Sequence, residues 1–80
     1  KEIIGLRNKL DTLIRNTRRA FLEFGGSLSA EERKNGQQAL SQGEEATNSE
    51  NVEELRQAID VVQQFANELT NVMMNLPGGE

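Results

Sequence analysis

The most regular feature of this chain is a run of apolar side chains, Val52, Leu55, Ile59, Val62, Ala66, Leu69, Met73 and Leu76, whose spacing alternates between three and four. Only an α-helix brings such positions onto one face; a strand needs a period of two. The same alternation runs through Ile3, Leu6, Leu10, Leu13, Thr17, Ala20 and Phe24, with Ile4, Ile14 and Phe21 widening the stripe. Two long helices, each greasy on one side, cannot leave those sides in water, so they are expected to pack lengthwise against each other.

The breaks between them are marked by local chemistry. Gly25-Gly26 offers the left-handed position that ends a helix. Ser29-Ala30-Glu31-Glu32 reads as a capping box that starts a second helix, and Asn51 with Glu54 repeats the arrangement at the start of a third. Helices are therefore expected over about 1–24, 30–48 and 52–75, with Pro77-Gly78-Gly79 closing the last and 77–80 left as a flexible tail. The middle helix has a thin apolar face, Ala30, Ala39, Leu40 and Ala46, interrupted by Gly36 and Gly43. Each interior glycine costs a helix about 1 kcal/mol relative to alanine, and here the pair either admits a close neighbour or leaves a gap. Short loops favour an all-α, antiparallel up-down-up three-helix bundle over residues 1–76, with a helix-exchanged dimer as the alternative assembly.

Composition narrows the chemistry. The 80 residues contain neither Cys nor His, which removes disulfides, thiolate metal sites, nucleophilic thiols and imidazole bases. Net charge is −4, divided into six Lys or Arg against three acids over residues 1–24 and −7 over the rest, so the first helix attracts the other two and no overall basic footprint for nucleic acid exists. No stretch approaches the roughly 20 apolar residues of a membrane span, and no signal peptide opens the chain. It begins inside a helical pattern without Met, which points to a piece of a longer protein.

The order of segments is also familiar. RNKLDTLIRNTRR (7–19), GGSLSAEERK (25–34), an Ala-Leu helix and SENVEELRQAI (49–59) together resemble the C-terminal helical lid of the DnaK family of 70-kDa heat-shock chaperones. The resemblance covers residues 1–76. It implies that the first helix is the distal half of the long lid helix and that the bundle closes over a peptide groove in a β-subdomain, slowing release of bound unfolded polypeptide. In such a parent, ATP and Mg bind a separate ATPase domain, so this stretch would have no catalytic, nucleotide-binding or metal residues and no cofactor of its own. Its partners would be the β-subdomain, client polypeptides indirectly, and co-chaperones through the parent, with no nucleic acid or membrane; the compartment would be the cytoplasm, or a mitochondrion or plastid. The resemblance places Asp11 at the family's latch acid and Arg15 at a second latch position, where His is common. Two departures stand out: Gly36 and Gly43 replace large aliphatic residues, and the Glu-Glu-Val-Asp tail of eukaryotic cytosolic members does not occur in these 80 residues.

Each candidate has a plainer reading. Asp11 and Arg15 at i, i+4 make an ordinary helix-surface pair. Arg15, Arg18 and Arg19 form a basic cluster, but no aromatic side chain is interleaved to stack on bases. The pairs Glu31-Glu32, Glu44-Glu45 and Glu53-Glu54 diverge by about 100° on a helix and cannot converge as acid and base. Met73, Met74 and Leu76 could offer a soft apolar patch or simply fill the core. The alternative to a lid is a stand-alone adaptor that takes a partner's amphipathic helix in a groove over Gly36 and Gly43.

Overall fold

The computed structural model describes residues 2–75 and contains three α-helices: α1 (Glu2–Phe24), α2 (Ala30–Ala46) and α3 (Val52–Met74). Among the described residues there is no strand, so the chain is an all-α three-helix bundle. Leu76 and the expected 77–80 tail lie outside the described residues.

α3 is the common neighbour: it packs extensively on both α1 and α2, which touch each other far less. Contacts climb together in α1 and α3, from Glu2 with Arg56 to Phe21 with Phe65. Along α2 they descend, since Glu44 meets Arg18 while Gly43 lies by Val62 and Gly36 by Phe65.

The core has two parts. Leu10, Ile14, Leu40, Leu55, Ala58 and Val62 form one; Leu28, Ala39, Phe65 and Leu69 form the other. Phe21 packs on both, its ring edge-on to Phe65 at a centroid distance of 5.4 Å. The buried seam of α3 therefore includes Ala58 and Phe65 beside the stripe read from the sequence, because a helix with two neighbours must be apolar over a wider arc than one helix contact needs. Ile4 belongs to no such stripe; it is 62% exposed, and the expectation that it widened the core face of α1 is corrected.

Gly36 and Gly43 leave no gap. A Cβ on Gly36 would fall into the Phe65 ring, within 2.7 Å of its Cε2, and one on Gly43 would come within 2.9 Å of Val62 Cγ2 and 3.1 Å of Ile14 Cδ1. Both are buried. The missing side chains on α2 are matched by a large one on α3, and the groove an adaptor would need over these glycines is already filled.

Two local expectations change at the turns. Gly25-Gly26 does not adopt a left-handed turn: no described glycine has positive φ, and Gly25–Ser27 form a 3₁₀ turn closed by Leu28 N–H donating to Gly25 O at 3.1 Å. This turn delivers Leu28 into the core, 6% exposed, among Ala39, Phe65 and Leu69. α2 ends at Ala46 rather than near 48, because the Thr47 hydroxyl donates to Gly43 O (2.9 Å) and Ser49 N–H to Ala46 O (2.8 Å), polar side chains and turn bonds replacing the helical ladder.

The Ser29 capping box is complete, with Ser29 Oγ accepting from Glu32 N–H at 3.1 Å and Glu32 Oε1 accepting from Ser29 N–H at 2.9 Å. At α3 only half of the box forms. Asn51 Oδ1 accepts from the amides of Glu53 and Glu54 (2.8 and 3.3 Å), but Ser49 Oγ takes the Asn51 N–H and donates to the Glu54 carboxylate.

Thr17 is 3% exposed and its hydroxyl has no hydrogen-bond partner. A buried hydroxyl that forgoes its bonds to water costs about 1–3 kcal/mol. Thr17→Val keeps the branched shape and removes that cost, so it is expected to stabilise the bundle by about 1 kcal/mol in urea melts; an unchanged or lower midpoint would show that the hydroxyl is satisfied in solution.

Candidate functional site

The two sequence-derived candidates sit on the flank of α1 that faces away from α3. Asp11 and Arg15 are brought together as an ion pair one turn apart, with side chains 45% and 75% exposed. Neither contacts α2 or α3 through an ion pair or hydrogen bond, so the local geometry is the ordinary surface pair, worth about 0.2–0.5 kcal/mol to the helix.

Four positions share this flank. At 100° per residue, Ile4, Asp11, Arg15 and Leu22 fall within about 40° of arc, and Ile4 and Leu22 are 62% and 80% exposed. Next to Leu22 a shallow, largely apolar hollow opens between α1 and α2, lined by Phe21, Leu22, Leu40 and Ser41 and rimmed by the Arg18–Glu44 ion pair. The result is a charged centre with an apolar residue toward each end of the helix.

The other charged groups are drawn into structure. Of the basic cluster, Arg15 pairs with Asp11 and Arg18 with Glu44, while Arg19 makes no ion pair among the described residues. The carboxylate pairs divide: Glu32, Glu44 and Glu54 bond to Ser29, Arg18 and Ser49, and Glu31, Glu45 and Glu53 face solvent. Among the described residues no three carboxylates are grouped as a metal site would require, and no helix is long and apolar enough to cross a membrane. Met73 lies at the end of a trough between α1 and α3, with Leu13, Ala20 and Ala66, while Met74 is 77% exposed.

Arg7 has a role that spacing did not suggest. Its Nε and terminal nitrogen both donate to Ser49 O, at 3.2 and 2.9 Å, tying the start of α1 to the loop between α2 and α3. Its acceptor is a backbone carbonyl, which has no sequence signature. The sign that was available is its position, one turn before Leu10 and off the apolar stripe; that it is half-buried is seen only in the structure.

No protein-family model matches the chain, and no solved structure does.

Proposed function

We propose that this chain is the helical lid of a DnaK-type chaperone, that it carries no catalysis of its own, and that Asp11 and Arg15 form the face that latches onto the peptide-binding β-subdomain. The observation that supports the reading is the placement of this pair: exposed, at the middle of α1, on a flank that the bundle itself leaves uncovered. The order of segments over 1–76 supplies the rest.

In this reading the work is mechanical. α3 braces α1 along its length, so force applied at one end of the bundle reaches the latch without bending it. Asp11 has two carboxylate oxygens and can keep Arg15 on one while accepting from a cation of the β-subdomain on the other. Arg15 is held in place by that same pair and aims its remaining donors outward. ATP and Mg act at the parent's ATPase domain, and opening of the lid follows from there; the setting is the cytoplasm, with client polypeptides and co-chaperones met through the parent.

The test is peptide release from the longer protein. Deleting residues 1–76 is expected to speed release and leave basal ATP hydrolysis unchanged. Asp11→Asn, which keeps shape and removes charge, is expected to speed release about threefold to tenfold, the equivalent of one interfacial ion pair. Release rates unchanged by the deletion would dispose of the lid reading.

A further inference from the structure

The outer flank of α1 reads the same in both directions. Ile4 and Leu22 are centred on residue 13, and so are Asp11 and Arg15. Lay a second α1 alongside in the opposite sense, with the two-fold axis crossing the stripe at the level of residue 13, and Ile4 of each copy meets Leu22 of the other while Asp11 of each meets Arg15 of the other. Apolar falls on apolar and acid on base. The four residues lie on one arc of the helix, and Ile4 and Leu22 are the large apolar side chains that α1 leaves exposed.

From this self-complementarity we infer that the stripe Ile4–Asp11–Arg15–Leu22 is a docking surface for a second copy of the chain, forming an antiparallel α1–α1 dimer. A foreign partner would place no demand on the relation between the two halves of the stripe. A two-fold contact does, because every residue that gives on one side must receive on the other.

Two further features fit this occupant. The hollow between α1 and α2 beside Leu22, lined by Phe21 and Leu40, lies where the partner's Ile4 arrives, so each copy contributes one knob and one socket. At the centre the two Asp11–Arg15 pairs meet as a closed ring of four alternating charges, in which each carboxylate keeps its own arginine and gains the partner's. A single helix pair covers less than about 1,200 Å² in total, the range of transient contacts, so the dimer is weak and concentration-dependent. It uses the flank assigned above to the latch, and a paired copy cannot be latched, but the inference stands on the symmetry of the stripe and not on the lid reading.

The experiment is sedimentation equilibrium of the 80-residue chain from micromolar to millimolar concentration, with helicity followed by circular dichroism. The expected result is a monomer–dimer equilibrium that Leu22→Glu weakens by about tenfold or more, as does Asp11→Arg alone, which sets four like charges together, while the exchange Asp11→Arg with Arg15→Asp restores it to within about threefold. All these sites are exposed, so helicity should not change. The chain has no cysteine of its own, so a variant with Ile4→Cys and Leu22→Cys, too far apart on one helix to join within a chain, is expected to oxidise to a covalent dimer. A monomer at every concentration overturns the inference and leaves the stripe to a different protein. A dimer indifferent to Leu22→Glu or to Asp11→Arg also overturns it, and points to the trough between α1 and α3. Neither outcome bears on peptide release, by which the lid reading is judged.

Discussion

Gly36→Leu is expected to destabilise the bundle by about 3 kcal/mol, and most of that loss should return when Phe65→Ala is added. Helix propensity alone would favour the substitution by nearly 1 kcal/mol. Against it stands the Phe65 ring, which occupies the space where even a β-carbon would go. The ring has nowhere to retreat: it is 4% exposed, held edge-on by Phe21 and surrounded by Leu28, Ala39 and Leu69. Overpacking of a tight core typically costs about 1–3 kcal/mol, and more when the neighbour cannot move. Removing the ring opens room for the leucine on the same axis, so the double variant exchanges a small–large pair for a large–small one. A double-mutant cycle in urea is the measurement. Additive losses would mean that Gly36 and Phe65 do not share one space.

Leu55→Ala should cost a similar amount for the opposite reason. Leu55 is wholly buried, in the half of the core that all three helices share, a cluster with Leu10 and Ile14 of α1 and Leu40 of α2. Truncating a leucine in such a place costs about 2–5 kcal/mol, through lost transfer energy and the cavity left behind. A domain of this size has about 4–12 kcal/mol in all, so a loss of about 3 kcal/mol would move the urea midpoint far toward zero and lower the melting temperature by more than 10 °C. Leu22→Ala, at 80% exposure, is the control and should stay within about 0.5 kcal/mol of the parent. A Leu55→Ala variant that melts with the control would place the core elsewhere.

Much of this architecture was legible because helix period and capping are local properties. The 3–4 alternation of 52–76 and 3–24 set two helices, and Ser29 with Glu32 set the start of the middle helix, α2, to the residue. Phe65 was harder. A single stripe describes a helix with one neighbour, whereas α3 has two, and the second seam through Ala58 and Phe65 shows only when α2 is placed against it. The clue was present on α2: Gly36 and Gly43 are seven residues apart, two turns on the same face, which suits a wide neighbour better than a void. The end of α1 was placed correctly, but the form of the turn after it and the end of α2 were misread, because these are decided by Leu28 seeking the core and by Thr47 and Ser49 bonding locally, outcomes that compete closely in a short segment.

At the surface, the Asp11–Arg15 pair was readable from its spacing alone, and the structure adds its exposure and its neighbours Ile4 and Leu22. Ile4 was expected to widen the core stripe, but helix geometry turns it by about 100° from Ile3, and it is 62% exposed. What the pair binds depends on a second surface, and no pattern within these residues specifies one beyond the two-fold match described above.

Because α3 is the neighbour of both other helices and is the last to be made, α1 and α2 emerge from the ribosome with little to hold them to each other. α1 and α2 are then two unpaired amphipathic segments until Leu69 has cleared the exit tunnel. The bundle therefore closes only after α3 has been made, and a stall or cleavage ahead of that residue would leave both apolar faces open to whatever binds sticky, unfinished polypeptides.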